Sequence, residues 1–435
     1  MSAIAKNYHT VEIGFGDING ALIGKRTPAR FFEEHLGEST GICRAPLTWD
    51  IQNDYFSERP FAGFAGGAPD MMLLPDIATL REIPWRPGTA FVLADIVYED
   101  GTPIEVSPRQ ILKNILKRFS ALGYAVKVGS EIEFYLLDEY KRPLFGGKEC
   151  YSIGRIGWHS DIYDEIQKNL EALGIRVEGI HTEYGPGQSE VILEYEGALE
   201  GADNMVIAKN AIKEIARKKG LYATFMALPW AEHSASGYHL HQSLWTEGGA
   251  NAFAALGADA ATALPGPSLL DRYLAGLLAT TQAFAALSSP SVNSYKRLAE
   301  MSFAPTRVGA GYDNRTVSAR LFGQGSGLRI EQRTGSSDAN PYLLIAASAA
   351  GGLYGLENAL PPPALVTGNH YFDETLGEIP RTLAEAAALF GESPLAAHYF
   401  GKEFVEIYGD YLQHDIAAHH AAVTDWERER YMENA

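Results

Sequence analysis

Residues 126–138 read VKVGSEIEFYLLD. Side chains here alternate with a period of two, the signature of a β-strand. Val126, Val128, Ile132, Phe134 and Leu136 take one face and suit a core. Glu131 and Glu133 take the other, about 6.6 Å apart at ~3.3 Å per residue. Two carboxylates this close repel unless water or a cation screens them. Alone, such a strand reads as a wet face. The pattern recurs, however, in three further segments. Glu183 and Glu190 flank a turn at Gly185-Pro186-Gly187 in HTEYGPGQSEVILEY (181–195). His239, His241 and Ser243 share a face in SGYHLHQSL (236–244), and Arg329, Glu331 and Arg333 share one in GLRIEQRTG (327–335).

Together these segments supply five carboxylates, two imidazoles and two guanidiniums, flanked by apolar residues. Oxygen-rich ligation with an imidazole suits Mg²⁺ or Mn²⁺. Five carboxylates exceed what one such ion needs, so two or more divalent sites are expected. Zinc fits less well, because no thiolate lies in these segments. Arginines beside metal-binding carboxylates favour phosphate or carboxylate substrates held by bidentate hydrogen bonds. This is an inventory for phosphoryl transfer.

The rest of the chain sets bounds. Its 435 residues allow up to about three domains, and 46% hydrophobic against 21% charged residues is ordinary for a globular protein. Thirty-six basic and 54 acidic residues give a net charge of −18, which disfavours nucleic acid and anionic membranes as partners. Only Cys43 and Cys150 are cysteines, and the N-terminus carries no basic-then-apolar leader, so a cytoplasmic protein without a membrane span is expected.

Asn19-Gly20 marks a hairpin within residues 11–25, and residues 56–70 and 84–88 read as loops. Ser107-Pro108 reads as a helix start, with Gly123 as the stop, and places a domain boundary between 1–106 and 107–435. Residues 203–219 read as an exposed amphipathic helix with a basic end, and 246–268 as a surface loop. Residues 269–288 read as one helix. Another starts near Pro341 and ends before Pro361. Gly14-Phe-Gly16 lacks the last glycine of a dinucleotide loop, Gly20 to Lys25 is one residue short of a P-loop, and HExxH and GxSxG are absent.

At GSEIEF (129–134), HTEYGPGQSEV (181–191), SGYHLHQSLW (236–245), NSYKRL (293–298), DNRTVSAR (313–320) and RIEQRTGSSDANPYL (329–343), in this order, the chain resembles the glutamine synthetase family. A weaker match covers residues 70–90. The resemblance implies an α+β fold, with a small β-grasp-like N-terminal domain before a large catalytic domain of curved antiparallel sheet and flanking helices. It implies one metal at Glu133, Glu183 and Glu190 and another at Glu131, His239 and Glu331. Arg297 and Arg333 then hold substrate glutamate, and Arg315, Arg320 and Arg329 face the phosphates of ATP. His241 and Ser243 lie beside the nucleotide, while Lys296 is structural. It also implies a homo-oligomer, a dodecamer of two stacked hexameric rings with sites shared between neighbours.

The departures are as informative. Ammonia-using members carry a glutamate six residues after the arginine of NSYKRL, where it closes the site and helps deprotonate ammonium. Here that position is Phe303, within Ser302-Phe303-Ala304-Pro305. The family's Asn-Gly-Ser-Gly loop reads Ser234-Ala235-Ser236-Gly237, and its aspartate contributed by a neighbouring subunit aligns weakly with Asp50. No match to the adenylylated tyrosine loop of some bacterial members is found. Phenylalanine accepts no proton but lines an apolar pocket. The expectation is a ligase joining the γ-carboxylate of L-glutamate to a small organic amine through γ-glutamyl phosphate. One alternative is an ammonia-using synthetase, with Glu300 supplying the missing carboxylate. Another is a non-catalytic glutamate sensor or structural member.

Overall fold

The computed structural model describes residues 4–254 and 267–435. Its first sheet holds six strands: β1 (Thr10–Gly16), β2 (Leu22–Pro28), β3 (Thr40–Cys43), β4 (Asp70–Pro75), β5 (Arg81–Glu82) and β6 (Thr89–Val97). The order is β2-β1-β6-β4-β3, with β5 on β6, and only the β1–β6 pair is parallel. The Asn19-Gly20 hairpin forms as read, with Gly20 at φ +79°.

The second sheet carries the acidic segments. Its strands are β7 (Tyr124–Leu137), β8 (Val177–Thr182), β9 (Gln188–Gly197), β10 (Tyr222–Thr224), β11 (Tyr238–Thr246), β13 (Ala310–Tyr312), β14 (Ala319–Phe322) and β15 (Arg329–Gln332). The order is β13-β14-β15-β11-β7-β9-β8, with β10 on β7. All pairs are antiparallel except β13–β14. A separate ribbon joins β12 (Arg307–Val308) to β16 (Gly377–Glu378).

The apolar face of β7 behaves as its alternation predicts. Ile132, Phe134 and Leu136 are buried against Ile166 and Leu170 of the helix Ser160–Ala172 and Ile212 and Ile215 of the helix Ala198–Lys218. A second core runs from Val11 to Ile416 and so joins the two sheets. The helix Pro108–Ala121 starts at Ser107 with proline in its first turn, as read. Asn340 caps the helix Pro341–Glu357 and donates to the carbonyls of Asp17 and Ile18, tying it to the first hairpin.

Two expectations fail. The helix read at 203–219 starts at Ala198 and is largely buried, with Ala202, Val206, Ala211 and Ile212 at the centre of the cores. Asp203, Asn204 and Lys209 do not face water, whereas the basic end, Arg217 and Lys218, is exposed as read. Asn204 binds Arg81, and Glu214 accepts from Trp85. Lys209 donates to the carbonyls of Ser337 and Ala339. The helix read at 269–288 is instead Leu269–Thr280, a turn, and Ala285–Ser288. Thr280 and Thr281 hydroxyls bond back to the carbonyls of Gly276 and Leu277, which competes with continuing the helix. Much of the loop read at 246–268 lies outside the described residues.

Arg109 links the first sheet to the helix Ala198–Lys218. It is 3% exposed and donates to Asp203 at 2.8 and 2.9 Å, to Asp95 at 2.6 Å and to Asp76 at 2.9 Å. Asp203 also accepts from the Tyr342 hydroxyl. Removing the guanidinium strands a buried carboxylate, so Arg109→Met is predicted to lower unfolding stability by about 3–5 kcal/mol. Urea denaturation measures this, and a loss below about 1 kcal/mol would mean that the cluster is no more than a surface-type ion pair.

Candidate active site

Strand register assembles the site. Glu133 of β7 lies directly opposite Glu190 of β9, and Glu190 lies opposite His181 of β8. Glu131 of β7 lies opposite His239 of β11. His241 of β11 lies opposite Glu331 of β15, and Glu331 opposite Arg320 of β14. Directly opposed residues of a ladder share a face, so these side chains, except His241, converge on one cleft of about 590 Å³. Gly237 permits the closure, because a Cβ there would lie 2.7 Å from Nη2 of Arg297 and 3.0 Å from Nε2 of His239.

Among the described residues, three sets of ligand atoms lie within 4.8 Å of one another: Glu131, Glu190 and His239; Glu131, His241 and Glu331; and His181, Glu183 and Glu190. All six acidic and imidazole residues expected to hold metal line the cleft, but these groupings differ from the expected triplets. His241 joins a ligand set, with Nε2 2.8 Å from Glu131. Glu133 stands apart from the sets and accepts from the Gly237 N–H at 2.9 Å and from Gln188 Nε2 at 3.1 Å.

Electrostatics favour a cation. Burial, then Glu183, raises the Glu133 carboxyl above its usual range, and burial, then Glu131, raises that of Glu190 well above it. Burial also pushes the Glu331 carboxyl up, but Arg333 and the two histidines outweigh this and hold it at about 2. Burial, then Arg333, lowers His239 and keeps its imidazole neutral, the state that ligates. Repelling acids around neutral imidazole nitrogen fit a divalent cation.

Arginines ring the cleft. Arg320 binds Glu331 Oε2 at 2.8 Å and Asp313 Oδ1 at 2.6 Å, and Arg333 also binds Glu331. Arg333 donates to the Phe303 carbonyl at 3.0 Å, and its buried Nε has no hydrogen-bond partner in the protein, leaving a donor for a ligand. Arg297, 3% exposed, is anchored through Nη2 on the Arg333 carbonyl at 3.2 Å, and burial lowers it to about 10 despite Glu133. Arg315 is exposed at the rim.

A second cavity of about 280 Å³ shares Glu131 with the first and is lined by Lys127, Tyr195, His241, Ser243, Trp245 and Arg329. The Tyr195 and Trp245 rings stack at 5.8 Å. Arg329 lies over the Phe322 ring at 3.7 Å with Nε 3.4 Å from His241. Asp50 is not brought to either cavity by its own chain, and its carboxylate lies 3.2 Å from His414.

Phe303 opens into the cleft. It is 54% exposed, holds φ +62°, which is uncommon for a bulky side chain, and stacks on Tyr184 at 5.9 Å. Glu300 lines a different cavity, with Thr306 and Ile379. Cys150, Tyr151, His181 and Tyr184 were not anticipated in the cleft. His181 had a signal, since it sits two residues before Glu183 on the same strand face. Cys150, 3.7 Å from Glu183, had none, because a loop brings it there. Burial, then Glu183, pushes its thiol up to about 12, so it stays protonated. Both cysteines are free.

Residues 105–431 match the family model described as glutamine synthetase, catalytic domain. The glutamate–isopropylamine ligase of a Pseudomonas species is 38% identical, over 98% of this chain and 95% of its own length. The γ-glutamylethanolamide synthetase of Streptomyces coelicolor is 37% identical, over 99% of this chain and 94% of its own. A solved structure of GmaS with ADP superposes with TM-score 0.87 at 27% identity, over 100% of both chains.

Glu331→Gln removes both a ligand atom and the countercharge between Arg320 and Arg333. It is predicted to weaken Mn²⁺ binding by at least about tenfold, as is Glu133→Gln. Titration calorimetry on metal-stripped protein reads this, and unchanged affinity in both variants would show that these carboxylates do not hold metal.

Proposed function

We propose, for a chain that belongs to the glutamine synthetase family, an ATP-dependent carbon–nitrogen ligase that joins the γ-carboxylate of L-glutamate to an organic amine. A carboxylate in water does not condense with an amine without activation. A carboxylate oxygen attacks the γ-phosphorus of ATP, ADP leaves, and γ-glutamyl phosphate forms. The amine nitrogen then attacks the acyl carbon, phosphate departs with the C–O electron pair, and the amine loses a proton.

Arg297 and Arg333 hold the glutamate carboxylate; their backbone anchors and the free Nε of Arg333 support that role. Arg315, Arg320 and Arg329 face the phosphates, and Tyr195 and Trp245 offer an aromatic wall beside His241 and Ser243 for the base. Glu131, Glu133, Glu183, Glu190, His239 and Glu331 hold two or more Mg²⁺ or Mn²⁺ ions. Such cations, when bound, offset charge on the transferring phosphoryl group. Asp50 acts in a neighbouring subunit's site, within a dodecamer of two stacked rings; its distance from its own cleft supports sharing. The free cysteines suit the cytoplasm, and no helix among the described residues is long and apolar enough to cross a membrane.

One observation carries the organic amine over ammonia. Phe303 projects into the cleft where an ammonia user carries a carboxylate, and Glu300, its potential substitute, lines another cavity. A phenyl ring stacked on Tyr184 binds an alkyl group and offers nothing to ammonium beyond a weak cation–π contact. The named relatives act on isopropylamine and form an ethanolamide, which supports the same reading.

Phosphate release with glutamate, Mg²⁺ and ATP across an amine panel tests this. Small alkylamines should exceed ammonia by at least about tenfold in kcat/KM, a difference of about 1.4 kcal/mol; fast turnover with ammonia alone contradicts it. Phe303→Glu should shift the ratio towards ammonia, and an unchanged ratio would remove Phe303 from the amine site.

A further inference from the structure

His181 is the one imidazole in the cleft to which the reading above gives no role. Its Nε2 lies 3.1 Å from Glu183 Oε1 and 3.3 Å from Glu190 Oε1. The three ligand atoms fall within 4.8 Å of one another, the reach of a single cation. The placement is fixed by the backbone. His181 is paired with Glu190 across β8 and β9, and it shares its strand face with Glu183 two residues on. The Tyr151 ring, 4.7 Å away, packs against the imidazole and fixes its plane. The side chains of His181, Glu183 and Glu190 are only 17%, 14% and 7% exposed, so water screens them poorly.

We infer that His181 is a nitrogen ligand of the cation held by Glu183 and Glu190, making this a mixed nitrogen–oxygen site that favours Mn²⁺ or Zn²⁺ over Mg²⁺. The inference rests on the metal-dependent reading above and concerns the same cleft. Imidazole nitrogen suits Mn²⁺ and, more strongly, Zn²⁺, whereas Mg²⁺ takes oxygen and keeps its water. The competing role is that of a positioning residue whose Nε2–H donates to the carboxylates. One N–H serves one acceptor well, and here two carboxylate oxygens stand almost equally near the same nitrogen. A cation at that point satisfies all three groups.

His181→Gln separates the roles, because the glutamine amide N–H reproduces the donor at Nε2 but not the ligating lone pair. Metal-stripped full-length protein is titrated by calorimetry with ZnCl₂, MnCl₂ and MgCl₂, alongside His239→Gln. His181→Gln should weaken Zn²⁺ and Mn²⁺ at its site by about 10–100-fold while moving Mg²⁺ by less than about threefold. In protein carrying ¹⁵N-histidine, pulsed EPR of bound Mn²⁺ should show nitrogen couplings that the His239→Gln/His241→Gln double variant reduces and does not abolish, since His241 also belongs to a ligand set. Unchanged Zn²⁺ and Mn²⁺ affinities in His181→Gln, or couplings lost completely in the His239→Gln/His241→Gln double variant, overturn the inference and leave the proposed function standing. A wild-type protein that binds none of these ions overturns both.

Discussion

Everything in the site follows from the pairing register of β7 with its two neighbours. β7 offers Glu131 and Glu133 on one face. β9 sets Glu190 against Glu133, and β11 sets His239 against Glu131. Side chains alternate strictly, so a slip of one residue in either pairing would send the carboxylates into the core and Ile132 and Phe134 into the cleft. The apolar face therefore enforces the polar one. Burying Ile132, Phe134 and Leu136 against two helices fixes the face that Glu131 and Glu133 take, and the ladders to β9 and β11 set which groups they meet.

That convergence is unfavourable by itself, and the surrounding structure offsets it in identifiable ways. Arg320 and Arg333 neutralise Glu331 on both oxygens. Backbone and amide N–H groups support Glu133. Behind the sheet, Ser337 donates to the carbonyls of Glu133 and Gly237, and the buried Lys209 holds the Ser337 carbonyl in turn at 2.7 Å. Charge that is still unbalanced, on Glu133 and Glu190, is what a divalent cation answers. The glutamate-binding arginines and the Phe303 turn hang on the same frame, since Arg333 grips the Phe303 carbonyl and so helps hold its strained backbone.

Much of this was legible in the sequence because period-two alternation reports which face a residue takes. β7, the β8–β9 turn, β11 and β15 were all readable in that way, and their shared chemistry singled them out. Register was not legible, because one strand carries no record of its partner. Hence the ligand groupings came out differently, with His241 beside Glu131 and His181 beside Glu190. Burial of polar residues was equally hidden. Asp203, Asn204 and Lys209 read as a solvated helix face until their partners at Arg109, Arg81 and Ser337 were seen, all distant in the chain. Cys150 illustrates the same limit, since no periodicity encodes a loop folding back onto Glu183.

The central claim is that strand register gathers these side chains around divalent cations. Anomalous diffraction from a crystal grown with Mn²⁺ tests it most directly. The account predicts two or more manganese peaks inside the cleft, each with carboxylate oxygens from at least two different strands and an imidazole nitrogen at about 2.0–2.3 Å. Peaks confined to the outer surface, or a cleft in which Glu131, Glu190 and Glu331 ligate nothing, would contradict it.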